Sequence, residues 1–224
     1  MSFRPDLQDS QKRMHRTPSP MKSCGASLRQ QTGRNNRLLE YMVPVMFRLQ
    51  FACGMRPQEA RRLRCTDLDF LKNTIYISEG KKHKDRLLAV RPEIMEMCRK
   101  YDCIAERLRP GRTYFFPSVN DTPYGAQSVT AVFHKCWDAA GNTVSGRPCT
   151  PYDLRHAYAS RVLMGWAEQG KDLDACIPYL STYMGHERFQ DTYYYVHLLP
   201  QRLSMMGFMG VSGIVPEVEE DAEK

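Results

Sequence analysis

The fold this sequence predicts is mainly α-helical with one small antiparallel β-sheet, an α+β arrangement dominated by its helices. Three observations carry the expectation. Apolar residues recur at helical spacing in segment after segment; Pro and Thr stand where those segments open and Gly where they close; and strict apolar/polar alternation is confined to two short runs flanking a basic turn. With 42% hydrophobic residues in a chain of 224, there is enough apolar surface for one main core.

Residues 1 to about 35 are rich in Arg, Lys, Gln, Ser and Pro and show no apolar periodicity, so they read as a flexible basic arm. From Leu38 the pattern changes. Leu38, Leu39, Met42, Val43, Val45, Met46, Leu49 and Phe51 follow helical spacing, with Pro44 expected either to kink this helix or to start a second one, and Gly54 to end it. Pro57 suits the first position of a short helix through about Arg64, which puts Arg56 at its N-terminal boundary. Residues Asn73 to Ser78 and Arg86 to Val90 alternate as strands do, with Glu79-Gly80-Lys81-Lys82-His83-Lys84-Asp85 as the basic tip of the hairpin between them.

A helix is expected from about Pro92 to Leu108, then a Pro/Gly/Asn-rich loop through Gly125, then a helix from Gln127 to about Ala140. Thr150 is an N-cap candidate and Pro151 suits the first turn of the next helix, whose spacing sets Tyr152 and Arg155 on one face with Ala159 and Val162. Leu173 to Tyr183 reads as a helix stopped at Gly185, and Asp191 to His197 as a short one. The stretch from Pro200 to Met209 is apolar and methionine-rich, and no internal repeat is present.

The formal charge is +7 and the pI about 9.0, from 32 Lys and Arg against 25 acids. Five of the acids lie in the last eight residues, Glu217 to Lys224, so the folded part is more basic than the total. Such a balance favours a polyanionic partner without specifying a sequence. No apolar run reaches the length of a membrane span and the first residues lack a signal-peptide stretch, so the chain is expected to act in the cytoplasm, away from the membrane. The eight cysteines form no C-x-x-C pair and no Cys/His cluster at zinc-ligand spacing; they are expected to be reduced, small core residues, with no metal and no cofactor.

What remains is a constellation suited to phosphate chemistry. Opening a phosphodiester without a metal requires a nucleophile, cations for the doubly charged phosphorane, and an acid for the departing 5′ oxygen. Arginine suits the second task because its fork bonds two phosphate oxygens and stays protonated. Arg56 and Arg155 both stand near a predicted helix start, where backbone N–H groups also favour an anion.

The chain resembles the tyrosine recombinase family of phage integrases and Xer-like proteins over roughly Leu38 to Leu198. Gly54-Met55-Arg56-Pro57-Gln58-Glu59-Ala60 is similar to the family's G-L-R-x-x-E-L, and Tyr152-Asp153-Leu154-Arg155-His156-Ala157-Tyr158-Ala159-Ser160 to its H-x-L-R-H-[TA]-[FY]-A-[ST]. Met184-Gly185-His186 stands for L-G-H, with Tyr195 nine residues after the histidine, and Gly80-Lys81-Lys82-His83-Lys84-Asp85-Arg86 has the shape G-K-x-x-K-x-R. The resemblance implies Arg56, Arg155 and His186 as the clamp on the phosphate, Tyr195 as nucleophile, Lys81 as general acid and Glu59 as the acid orienting Arg56. It leaves Lys82, Lys84 and Arg86 to contact DNA. Tyr193 and Tyr194 adjoin the nucleophile, and the nine-residue offset with the trailing Val196-His197 selects Tyr195. Tyr152 departs from the family, standing where a histidine is usual; a neutral phenol donates a hydrogen bond but carries no charge at neutral pH. His156 resembles a structural histidine.

The implied fold is the tyrosine recombinase catalytic domain, of the DNA breaking-rejoining type, over residues 36–200. Residues 201–224 form an apolar segment and acidic tail, expected either to dock on a neighbouring subunit or to pack on their own domain. The family's N-terminal core-binding domain has no counterpart in these residues, since about 35 arm-like residues cannot replace a helical domain of roughly 80. The implied reaction is site-specific recombination or integration of double-stranded DNA through a 3′-phosphotyrosyl intermediate. The enzyme would assemble as a homo-oligomer on DNA, with a partner protein as a further source of site recognition and a mobile element as one setting. Two alternatives stay open: a catalytically impaired DNA-binding relative, and a type IB topoisomerase-like strand-relaxing enzyme.

Overall fold

The computed structural model describes residues 37–78, 85–139, 149–188 and 190–196. Along the chain run α1 (Arg37–Cys53), α2 (Pro57–Arg62), a 3-10 turn at Cys65–Asp67, β1 (Leu68–Asp69), β2 (Thr74–Ile77), β3 (Arg86–Ala89), α3 (Pro92–Leu108), α4 (Ala126–Ala139), α5 (Pro151–Glu168), α6 (Leu173–Met184) and α7 (Gln190–Val196). The mainly helical α+β class expected from the sequence is therefore observed, with most helix boundaries within a residue or two.

Local chemistry explains those boundaries. Pro57, Pro92 and Pro151 each open a helix where the missing N–H costs nothing. The start of α5 is fixed further by Asp153, whose carboxylate accepts both the backbone N–H (2.7 Å) and the hydroxyl (2.8 Å) of Thr150. Asp172 caps α6 through the backbone N–H of Asp174, at 3.0 Å. Of the two outcomes expected of Pro44, a second helix does not form: the proline lies inside α1, which runs on as one helix to Cys53. The penalty of an interior proline, ~3 kcal/mol, is offset by burial on several sides, since Leu39, Met42, Val43, Met46, Phe47 and Leu49 are all buried and the helix packs on both α3 and α5.

The hairpin expected at 73–90 forms, and a two-residue strand joins it. The sheet order is β1-β2-β3, all antiparallel, with Leu68 opposite Ile75, Ile75 opposite Leu88 and Ile77 opposite Arg86. Period-2 alternation buries Ile75, Ile77 and Leu88 on one face and leaves Tyr76 and Leu87 exposed on the other. Arg86 shares the inward parity of Leu88, two residues on. The hairpin tip, residues 79–84, and the stretch from Pro200 to Met209 lie outside the described residues.

Two apolar clusters result. The larger joins α1, α2, the sheet, α3 and α4, with Met55, Ala60, Phe115 and Phe116 wholly buried. The smaller joins α5, α6 and α7 through Ala159, Leu163, Ile177, Leu180, Met184 and Tyr195. Among the described cysteines, Cys53 and Cys98 are buried free thiols, as expected, and Cys149 is buried too, whereas Cys136 is disulfide-bonded, in departure from the expectation of reduced thiols throughout. No helix among the described residues is long and apolar enough to cross a membrane.

Gly54 closes α1 with φ +62°, and a Cβ there would lie 2.4 Å from the ring of Tyr158 on α5. The residue thus serves both a left-handed turn and the approach of two helices. Gly54→Ala combines a left-handed backbone penalty of ~1–2 kcal/mol with overpacking of ~1–3 kcal/mol. Urea unfolding is expected to show a loss of about 2–5 kcal/mol in Gly54→Ala. Gly170→Ala, also left-handed but with nothing within 4 Å of the added Cβ, should lose only the backbone part.

Candidate active site

The motif residues converge where the two clusters meet. Met55 and Ala60, both wholly buried, plug the first motif into the larger core, and this holds Arg56 at the N-terminus of α2. One turn on, the buried carboxylate of Glu59 accepts from the Arg56 backbone N–H (2.7 Å) and from Arg56 Nη1 (2.8 Å). Arg86, reaching inward from β3, donates Nη1 and Nη2 to the same two carboxylate oxygens, each at 2.8 Å, and Nε to the carbonyl of Tyr183 at 3.0 Å. Arg86 was expected at the DNA; with a side chain only 10% exposed and its fork filled by Glu59, it instead ties β3 to α2 and α6. The signal for this is its inward strand parity.

Glu59 is a carboxylate between two guanidiniums. Burial raises its pKa, but the hydrogen bonds and charge of Arg86, joined by those of Arg56, outweigh it and bring the group down to about 2.

Arg155 is the deepest charge in the site, with 0% of its surface exposed. Its Nη1 donates to the Gly54 carbonyl and its Nη2 to the Met184 carbonyl, both at 2.6 Å. Gly54 follows the last residue of α1 and Met184 is the last of α6, so the negative ends of two helix dipoles point at one cation. Arg56 Nη2 donates in the same way to the next carbonyl, that of Gly185. Burial, with the nearby charge of Arg56, lowers Arg155 to about 10, which still leaves it protonated at neutral pH.

The third motif is shaped by the end of α6. Gly185, at φ +67°, turns the chain so that the backbone N–H of His186 bonds the Ser181 carbonyl at 2.9 Å. The His186 ring then faces α7, with Nδ1 2.7 Å from the hydroxyl oxygen of Thr192 and the ring stacked near-parallel to Tyr195 at 6.4 Å between centroids. Burial, reinforced by Arg155 and Arg56, holds the His186 imidazole down at about 3, so it is neutral at physiological pH.

Of the three consecutive tyrosines, only Tyr195 enters the site. It is 3% exposed, while Tyr194 lies on the outer surface and Tyr193 donates its hydroxyl to Asp174 at 3.1 Å. Burial pushes the Tyr195 phenol above its ordinary value, with Arg155 opposing that shift. Its hydroxyl lies 2.7 Å from Nδ1 of His156. That histidine, expected to be structural, therefore touches the phenol. Tyr152 is 44% exposed, unlike the buried Arg155 with which it was expected to share a face; its ring meets His156 edge-on at 4.9 Å between centroids. Sequence reasoning passed over Thr192 as well, although i,i+3 spacing from Tyr195 places it on the same face of α7.

Lys81, Lys82 and Lys84 lie outside the described residues. The strands leading to them border a cleft of about 630 Å³ lined by Arg56, Arg62, Arg64, Tyr76 and Ser78. Among the described residues no group of three His, Cys, Asp or Glu side chains could hold a metal ion.

The depressed pKa of Glu59 makes stability depend on pH. Because the folded value (about 2) lies below the ordinary 4.5, the contribution is fully present above about pH 4.5 and is lost as pH falls toward 2, on the order of 3 kcal/mol in all. Glu59→Gln should flatten that limb of a stability–pH curve measured by urea unfolding. At pH 7 it should cost about 3–5 kcal/mol, because two guanidiniums lose their shared counter-charge.

Residues 32–202 match the model of the phage integrase family. The Sinorhizobium fredii protein y4rE, an integrase/recombinase by name, is 30% identical over 145 residues, covering 64% of this chain and 46% of that protein. Tyrosine recombinase XerA of Thermococcus onnurineus is 26% identical over 216 residues, covering 90% of this chain and 68% of that one. Among solved structures, XerA recombinase superposes with a TM-score of 0.61 at 22% identity, over 86% of this chain and 64% of that chain. XerH recombinase bound to a palindromic difH substrate reaches 0.62 at 16% identity, over 87% and 52%. This chain spans about half the length of the Sinorhizobium relatives, 46%, 51% and 45% of three of them. The fold is that of a tyrosine recombinase catalytic domain, and with the family's model matched over most of its length the chain belongs to the phage integrase family.

Proposed function

We propose that this chain carries the catalytic centre of a site-specific DNA recombinase, one that cuts and rejoins strands through a 3′-phosphotyrosyl intermediate. The observation that carries the reading is the convergence of Tyr195, Arg155, Arg56 and His186 from four separate stretches of chain on one buried point. The positive balance of the sequence suits a DNA partner, and XerH, similar in fold, was solved with its difH substrate.

In this reading the Tyr195 oxygen attacks the scissile phosphorus, the Oη–P bond forms and the P–O5′ bond breaks. Arg56 and Arg155 stabilise the phosphorane as its charge develops. Arg155 spends one hydrogen of each Nη on a carbonyl, and its buried Nε has no partner; the remaining donors are those a phosphate oxygen would use. His186 acts as a neutral donor in this reading: with the Thr192 hydroxyl donating to Nδ1, the ring proton sits on Nε2, where it can meet a phosphate oxygen. Lys81 protonates the leaving 5′ oxygen, and Lys82 and Lys84 contact the DNA backbone. Glu59 and Arg86 hold Arg56 in place. A 5′-hydroxyl from the partner strand later reverses the step. The bond energy is kept in the protein–DNA link, so neither ATP nor a metal is consumed. Assembly as a homo-oligomer on DNA, with a partner protein assisting site recognition, completes the reading.

Tyr195 and Arg155 are buried in the structure described here.

Incubating the protein with nicked duplexes from the DNA flanking its own gene should give a covalent protein–DNA adduct on a denaturing gel. Tyr195→Phe should lose the adduct below detection while binding DNA within about twofold of wild type. An adduct retained in that variant would move the nucleophile to Tyr194 or Tyr193. DNA binding without any adduct would make the chain a binding-only relative, and relaxation of one duplex without strand exchange would mark a topoisomerase-like enzyme.

A further inference from the structure

In the Candidate active site, the phenol of Tyr195 is buried and must shed a proton as it attacks, yet burial favours its protonated form. Some group in contact with the hydroxyl has to accept that proton. The family's usual histidine on α5 is absent, because Tyr152 occupies its position, and a neutral phenol is a poor base. Cations cannot take a proton, which excludes Arg56 and Arg155. His186 stacks its face on the Tyr195 ring and commits Nδ1 to Thr192, so its nitrogens are not directed at the phenol oxygen.

We propose that His156, one helical turn beyond Tyr152 on α5, is the base that takes the Tyr195 proton. It is the one side chain among the described residues with a nitrogen at hydrogen-bond distance, 2.7 Å, from the Tyr195 hydroxyl. The i,i+4 spacing explains how a residue four positions away can cover the same spot. Tyr152 packs its ring edge-on against His156 and so braces the imidazole. A phenol is a better donor than acceptor, because its lone pair is shared with the ring. The pairing is therefore read as Oη–H donating to an unprotonated Nδ1.

The inference rests on Tyr195 being the nucleophile. As Oη bonds to phosphorus its proton passes to Nδ1, giving an imidazolium, while the electron pair of the P–O5′ bond leaves with the 5′ oxygen, which takes a proton from the general acid. In rejoining, the imidazolium returns its proton to the departing phenolate. His156 is thus catalytic in both directions, and Tyr152 is a positioning residue.

The test uses the full chain and nicked duplexes that span the DNA flanking its gene, in two forms: an ordinary 5′ oxygen at the scissile bond, or sulfur in its place. A sulfur leaving group departs without protonation, so it rescues loss of the acid and not loss of the base. His156→Ala is expected to form adduct about 10²-fold or more slowly with both substrates, whereas Lys81→Ala should recover with the sulfur substrate. His156→Asn offers an oxygen near the Nδ1 position that can accept the hydrogen bond and cannot take the proton, so it should stay slow. Recovery of His156→Asn to within tenfold of wild type, or rescue of His156→Ala by sulfur, would overturn the proposal.

A second readout needs no turnover: nitrogen-15 NMR of the histidine rings in the DNA-free protein should show His156 with its proton on Nε2, and a proton found on Nδ1 would sink the assignment. Absence of adduct from the wild type would instead count against the underlying recombinase reading, and the ring tautomer separates the two failures.

Discussion

The site hangs on one buried cation. Taking a guanidinium fully out of water costs several kcal/mol unless its donors are matched, and Arg155 is matched by two backbone carbonyls that belong to helix ends far apart in the chain. Gly54 supplies one because it closes α1, and Met184 supplies the other because it ends α6. Each carbonyl is left over by its helix and needs a donor; Arg155 needs acceptors. This mutual need draws the first motif, the second and the third to one point, and Arg56 repeats it at the neighbouring Gly185 carbonyl.

Around that point the charges do not cancel. Arg56, Arg86 and Glu59 sum to one positive charge, and Arg155 adds another. Glu59 keeps two guanidiniums within reach of each other and fixes the direction of Arg56, leaving part of that fork to bond Gly185. Burial first, and the same cations after it, keep His186 neutral, so it adds no further charge. In the proposed reaction a phosphate placed here would meet excess positive charge and oriented donors, which is how a preorganised site lowers a barrier.

Tyr195 belongs to the smaller apolar cluster and the Glu59 group to the larger. Arg155, Arg56 and Arg86 are among the links between them, Arg86 through Glu59 on α2 and the Tyr183 carbonyl on α6. Tyr195 is buried against His156 and His186, with Tyr194 beside it at the surface.

Much of the fold was legible because its signals are local. Proline at helix starts, Thr150 with Asp153, glycine at the ends of α1 and α6, and alternation in β2 and β3 all act within a turn or a strand. The two-residue strand β1 is too short to show a period, and the local pattern left open whether Pro44 kinks one helix or starts a second, which tertiary packing decided in favour of one. The motif spacings singled out Arg56, Glu59, Arg155, His186 and Tyr195, and the structure brings all five together. Tertiary structure alone decided that the partner of Arg86 is Glu59, 27 residues away, that Arg155 is wholly buried against a carbonyl 101 residues away, and that His156 meets the Tyr195 hydroxyl across 39. The physical reason is range. Capping and periodicity are settled by neighbours along the chain, whereas the partner of a buried charge or a phenol is settled only when helices that are distant in sequence pack, and desolvation then forces each polar group to find one.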